Sequence, residues 1–394
     1  LELARQRSPR LAEAASRAAA AERLVGAAKA LEDPMLEARL SNAGLDDWTV
    51  GETEMSMVEL GVRQNLPWPG RRAARQGLAS AEASVFEVER IVVEREVDRA
   101  VVATVARLWV LDQELARLDD GHELMSVLVA GVDVRLAAGA ADTESAIRSR
   151  LELVRHDAER ERVAAERELE AARLRELLAL PAATPIGRIA GLPRPEALPA
   201  DFVRLAGRLA PGVVAAEARA LVAERQVELL RRNLKPDFSV AAGIGWRGDL
   251  DPMLQAGAAI ELPLFRGQRE RPRLEAAADE LAAARSAADQ AALAARSEAE
   301  GIVAAVRRLE RRMLLFDEGL LPQSAAAFDA ARSGYLGGSG DFATLLSDFD
   351  LWLTVRVDRA RLTAERLELA AAATALIGPA PEARSSLAPA GDPR

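Results

Sequence analysis

The sequence predicts an α+β chain of mostly long α-helices with four short β-strands, written as two copies of one plan. Three observations carry this. Apolar residues recur at helical spacing through long stretches free of proline. Four short segments alternate instead with the period of a strand. Landmarks of the first half then return in the second, in the same order, about 200 residues on.

The duplication sets the order of elements. Pro9 opens PRLAEAASRAAAAERLVGAAKALEDP, which closes at Pro34, and Pro211 opens PGVVAAEARALVAERQVELLRRNLKP, which closes at Pro236. NLPWPGRR (65–72) is echoed by ELPLFRGQR (261–269), and VRLAAGAADTES (134–145) by GYLGGSGDFATL (334–345). The first repeat, 1–179, reads as a helix running to Pro34, strands near 35–42 and 55–66, a long helix over 71–136 and another over 142–179. The Pro-rich segment 180–199 links the copies. The second repeat, 200–377, reads as a helix, strands near 237–246 and 253–263, a long helix over 268–335 with an interruption at Pro322, and a helix over 341–377. The tail 378–394 is expected to be disordered.

Composition narrows the function classes. Aromatics make up 4% of the chain and charged residues 29%, as in long helices and coiled coils. A net charge of −9 argues against a nucleic-acid partner, which needs a basic face. The absence of cysteine excludes disulfides and thiolate metal sites. The histidines, His122 and His156, stand on different helices and read as surface residues. Met55 and Met57 share a strand face with Met35 nearby, which reads as packing rather than a metal site. GIGWRG (243–248) matches a Gly-rich phosphate motif but lies in a strand and its loop, not before a helix. No catalytic, metal or cofactor site is predicted, and the chain is not expected to be an enzyme. No apolar run is long enough for a membrane-spanning helix. No signal peptide opens the chain at Leu1, which begins in helix-like sequence as a mature or trimmed chain would.

The strands nevertheless have the length of tilted barrel strands, about 9–11 residues. Leu36, Ala38 and Leu40 share one face with Glu37 and Arg39 opposite. Val58, Leu60 and Val62 oppose Met57, Glu59 and Arg63. Phe238, Val240, Ala242, Ile244 and Trp246 form a third apolar face, and Leu254, Ala256, Ala258, Ile260 and Leu262 a fourth. Four strands cannot close a barrel, so closure requires several chains. In the first long helix, Val101, Val105, Leu108, Leu111, Leu115 and Leu118 follow coiled-coil spacing.

NLPWPG joins these two worlds. Pro67 and Pro69 end the strand, since proline cannot continue a ladder, and Gly70 allows a sharp change of direction. Pro263 and Gly267 do the same in the second copy. Trp68 and Phe265 would mark one rim of the apolar band, and Trp48 and Trp246 the other, as an aromatic girdle.

With these features in order, the chain resembles the TolC family of outer-membrane efflux channels over nearly its whole length. The carrying features are the duplication, the strand pair per repeat, the Leu-Pro…Gly joint and the turns Gly139–Asp142 and Gly338–Asp341. NLPWPGRR is similar to the joint of cation-exporting members. The resemblance implies a homotrimer with a 12-stranded β-barrel in the outer membrane of a Gram-negative bacterium, continued by a periplasmic α-barrel. It implies a passive duct served by a periplasmic adaptor and an inner-membrane pump of the RND type, with no cofactor. The adaptor would meet the tip turns at Leu136, Gly139, Ala140, Asp142 and Thr143, and at Leu336, Gly338, Gly340 and Asp341. Asp142 and Asp341 stand where they can cap the returning helices. The lumen would narrow at Asp341, Thr344, Ser347 and Asp348, with Asp350 close by; family members often carry acids where Thr344 and Ser347 stand here. The competing reading is a soluble coiled-coil scaffold with small β inserts.

Overall fold

The computed structural model describes residues 1–42, 55–139, 143–262, 264–265 and 267–378. Trp48, Ala140, Asp142, Pro263 and the tail from 379 therefore lie outside the described residues.

Each half opens with a short helix that the sequence reading passed over. Helix α1 (Glu2–Arg7) precedes α2 (Pro9–Ala28), and α5 (Phe202–Leu209) precedes α6 (Pro211–Asn233). Both breaks have one cause. Ser8 and Ala210 each stand before a proline, which forces the preceding residue into an extended conformation, and their ψ angles are 119° and 136°. Both still close the preceding turn, through Ser8 N–H to Ala4 O and Ala210 N–H to Ala206 O. Helices α2 and α6 also stop before Pro34 and Pro236, which lie in extended chain.

After α2 come strands β1 (Met35–Ser41) and β2 (Met57–Leu66), then helix α3 (Arg71–Ala137), which is 67 residues long. Helix α4 (Thr143–Leu177) follows. After α6 come β3 (Phe238–Arg247) and β4 (Leu250–Ile260), helix α7 (Glu270–Leu315), a π-helical turn (Phe316–Leu320), α8 (Leu321–Leu336) and α9 (Phe342–Ile377). The π-turn and the helix break both have their cause in Pro322. Its missing N–H and its ring cannot fit a continuous α-helix, so the preceding turn widens to i→i+5 bonding. No described helix is long and apolar enough to cross a membrane.

The chain divides into two compact units. One holds residues 13–90 and 212–291 and contains the sheet. The other holds residues 1–12, 91–211 and 292–394. In the second unit the heptad stripe of α3 is what packs on α4. Val101 and Leu108 are buried with Ala171 and Leu174, and Leu115 and Leu118 with Val163.

Candidate functional site

The four strands form one antiparallel sheet in the order β1-β2-β3-β4. Its register sorts the side chains cleanly. Leu36 faces Val62, Leu60 faces Ile244 and Ile244 faces Leu254, so the apolar residues of all four strands share one side. That side has no partner among the described residues: Leu36 is 71% exposed and Leu254 88%. The other side carries Glu37, Arg39, Glu59, Arg63 and Gln255 beside a run of glycine and alanine. Its charges are paired in the sheet. Arg63 Nε donates to Glu37 Oε1 at 2.6 Å, and the Ser41 hydroxyl donates to the Glu59 carboxylate. Gly61 lies opposite Gly243, and a Cβ on Gly243 would come within 2.9 Å of the Leu60 carbonyl oxygen. Glycine is what lets these backbones lie under the polar side. The outer edges of β1 and β4 pair with no strand among the described residues.

The first joint is tightly built. Trp68, Pro69, Gly70 and Arg71 make a turn closed by Arg71 N–H to Trp68 O at 2.9 Å. Gly70 has φ +87°, as position three of a type II turn requires, and proline suits position two. Trp68 stacks on Phe238 with centroids 5.5 Å apart, and its N–H donates to Asp237 Oδ1 at 2.9 Å. The buried Arg71 guanidinium donates to Asp237 and to the carbonyls of Arg232 and Lys235. Pro67 is half-buried and Pro69 exposed. Gly267, at the second joint, does not adopt a positive φ among the described residues. In sequence that joint has one more residue than the first.

In the other unit, the ends of α3, α4, α8 and α9 meet in an aromatic core. Met125, Leu128 and Val132 pack with Phe328, Tyr335, Phe342, Leu345 and Phe349. Phe328 stacks on Trp352 at 5.2 Å, and the Arg356 guanidinium covers the Trp352 ring at 3.9 Å. A groove of about 480 Å³ runs beside this core, lined by Glu114, Glu152, His156 and Asp350 among others. His156 Nε2 donates to the Leu118 carbonyl at 2.9 Å, and its ring lies 6.2 Å from Phe349. Burial in this groove raises the Glu114 and Asp350 carboxyls above their ordinary range.

No protein-family model and no curated protein matches the sequence. Solved structures do match the fold. The outer membrane protein VceC from Vibrio cholerae is 21% identical, covers 96% of this chain and 94% of its own, and gives a TM-score of 0.79. CusC, solved in a study of folding and transmembrane channel formation, is 17% identical, with 96% and 91% coverage and a TM-score of 0.81. The open-state MtrE outer membrane channel of Neisseria gonorrhoeae is 18% identical, with 96% and 87% coverage and a TM-score of 0.73.

The fold is that of the outer-membrane channels.

Within this channel fold the residues singled out from sequence fall into separate places. Asp341, Thr344, Ser347 and Asp348 share one flank of α9, beside the aromatic core, and Asp350 takes the opposite flank in the groove. Asp341 occupies the N-cap position of α9, yet its side chain makes no capping bond and stays exposed. The cap expected of it is therefore not made, and only its backbone carbonyl serves the helix, accepting from Leu345 N–H. Gly139 and Gly338 carry positive φ at the ends of α3 and α8. Gly340 has no room for a side chain, since a Cβ would meet Tyr335 N at 2.7 Å. Leu336 is exposed, Leu136 packs on the core, and Thr143 is the exposed first residue of α4. Of the girdle residues, Trp246 and Phe265 are exposed and Trp68 is half-buried.

Two details, at Met35 and His156, differ from the sequence reading, and the linker adds a third that it did not address. Met35 pairs with Arg63 and Met57 with Ser41, at opposite ends of one ladder, so Met35 stands apart from Met57. His156 is a half-buried groove residue, not a surface one. The Pro-rich linker is bound rather than loose. Ile189 N–H donates to Asp112 Oδ2 at 2.8 Å, Arg167 Nε donates to Asp112 Oδ1 at 2.6 Å, and Arg167 also donates to the Ile186 and Gly187 carbonyls. GIGWRG, for its part, ends in a two-residue hairpin at Gly248 and Asp249, with Gly248 at φ +63°. Sequence missed Asp237, the linker clasp and the aromatic core. A signal existed only for the last: five of the few aromatics crowd into residues 328–352.

Proposed function

We propose that the chain is one subunit of a passive homotrimeric duct in the outer membrane of a Gram-negative bacterium, carrying solutes outward from a periplasmic adaptor and an inner-membrane pump of the RND type. One observation carries this reading: a sheet with one predominantly apolar face, one face rich in paired charges and tiny residues, and two edges left bare among the described residues. In lipid, open edges are prohibitively costly. Three copies of the four-stranded sheet supply twelve strands, a size that closes into a barrel with a lumen. From Phe238 to Trp246 the strand rises about 27 Å, which at a barrel strand's tilt spans about 20 Å of an apolar band about 25 Å tall. The likeness in fold to outer-membrane channels supports the same reading.

The 67-residue α3 has a length of about 100 Å, the scale that a periplasmic tube needs. The adaptor would dock on the turns at Gly139 and Gly338, and the acids Asp341 and Asp348 would line the narrow end of the lumen. Metal cations are the cargo class that the joint motif favours. The duct needs no catalysis, since the pump supplies the energy.

Electron microscopy of the detergent-solubilised protein tests this. A hollow three-fold cylinder over about 100 Å long is expected. A thin solid rod or a monomer would instead favour a coiled-coil scaffold with capping sheets.

A further inference from the structure

We propose that a basic collar around the sheet–helix joints binds the anionic phosphate headgroups of the membrane leaflet on that side. The inference rests on the proposed membrane position of the sheet. Its starting point is a set of arginines in unfavourable places. A helix N-terminus favours acids, yet the first turn of α3 has none and opens with Arg71 and Arg72. Helix α7 follows its single Glu270 with Arg271 and Arg273.

Several of these cations have local partners. Arg71 is held by Asp237, Arg72 donates to the Lys29 carbonyl that ends α2, and Arg75 lies 3.7 Å from Glu32. Arg273 lies 3.7 Å from Glu270. Four others do not. Arg231, Arg232, Lys235 and Arg271 are exposed, and no carboxylate among the described residues comes within ion-pair distance of them. The helix dipole accounts for Arg231 and Arg232, in the last turn of α6. It does not account for Lys235, beyond that helix, or for Arg271, at the wrong end of α7.

Their position does. Lys235 precedes the first residue of β3 by three, and Arg232 reaches the joint, where its Nη1 would stand 3.0 Å from a Cβ on Gly70. The stacked pair Trp68 and Phe238 marks the same end of the apolar face. The other end of the sheet has the opposite sign. Its tight hairpin carries Asp249 and Asp251 against the one cation Arg247 among the described residues. A cationic rim, interfacial aromatics and an apolar sheet fit a phospholipid whose phosphate meets the guanidinium groups while its chains lie on the sheet. Attraction to an anionic lipid surface is worth about fivefold in partition per nearby cation.

The test is native mass spectrometry of the full chain, purified in detergent and mixed with equal phosphatidylglycerol and phosphatidylcholine. Wild type is expected to retain phosphatidylglycerol several-fold over phosphatidylcholine. Replacing Arg231, Arg232, Lys235 and Arg271 by glutamine should bring the ratio to parity with the total lipid count unchanged. Replacing the three arginines by lysine should keep the preference, which guards against a folding defect. Parity in wild type, or a preference that survives the glutamine variant, overturns the collar while leaving the membrane reading intact. Displacement of the lipid by inorganic phosphate would reassign the site to free anions and also overturn it. Retention of neither lipid would overturn both readings.

Discussion

The Arg71 guanidinium donates to the Asp237 carboxylate across 166 residues of sequence, and so ties the start of α3 to the start of β3. Arg71 is only 7% exposed at its side chain while Asp237 is 31% exposed, so the guanidinium is the buried, weakly screened member of the pair. Removing one partner leaves the other charge stranded, at about 3–5 kcal/mol. Asp237→Ala also orphans the Trp68 N–H. A lowered thermal midpoint in detergent, with loss of the Trp68–Phe238 stacking seen as a fluorescence change, is the expected outcome. A midpoint equal to wild type would mean that the turn holds itself.

The glycines on the polar side of the sheet are not equivalent. A Cβ on Gly243 would press on the Leu60 carbonyl at 2.9 Å, and backbone cannot swing aside. Gly257 has nothing within 4 Å of its Cβ position. Gly243→Ala is expected to cost about 1–3 kcal/mol through strain, and Gly257→Ala to be near neutral. Comparing the two by resistance of the assembled protein to dissociation in detergent separates crowding from a general glycine effect.

The linker clasp predicts protease behaviour. Asp112 is 2% exposed at its side chain and accepts from both Arg167 and Ile189 N–H. Arg188, followed by Ile189, offers trypsin a cleavage site in the segment that this clasp holds, whereas Arg194 precedes Pro195 and is resistant. Asp112→Ala should release the segment and raise its cleavage rate tenfold or more, since local opening costs set proteolysis. An unchanged rate would show that Leu192, which packs against Ala106 and Leu367, is enough to hold the linker.

At the other end of the same unit, Phe349 is 2% exposed at the centre of the aromatic core. Phe349→Ala is expected to cost about 3–5 kcal/mol. The loss should be local, read as faster amide exchange over 125–136 and 328–353 with exchange in 97–108 unchanged. Uniformly faster exchange would mean that the tip core stabilises the whole unit.

What could be read from sequence followed from periodicity. Alternation placed the apolar face on Leu36, Leu60, Ile244 and Leu254, because a period of two admits only one sorting of faces. The heptad stripe from Val101 to Leu118 likewise named the face that meets α4. Side-chain-to-backbone bonds between distant segments leave no such trace. Asp112 and Asp237 look like any helical or loop acid until the fold brings Ile189 and Trp68 beside them. The short helices α1 and α5 were legible in principle, since each ends at the residue before a proline. The π-turn was foreshadowed by Pro322, but the widening that absorbs it was not.

The groove beside the tip core makes stability depend on pH in a defined sense. Burial raises the Glu114 carboxyl above its ordinary value, against the lowering effect of Arg361 and Arg162. The folded state thus binds this proton more tightly than the unfolded chain. The contribution is fully present below the unfolded value and is lost as pH rises through the raised folded value. Asp119 runs the other way, since hydrogen bonding from Arg160 lowers it, so its contribution is lost as pH falls through its folded value. Glu114→Gln removes only the first dependence. Thermal midpoints of wild type and variant at pH 4 and pH 7 should therefore differ in one direction: the variant gains on wild type as pH rises. If the variant instead loses ground to wild type as pH rises, the ion pairs to Arg361 and Arg162 outweigh the cost of burial.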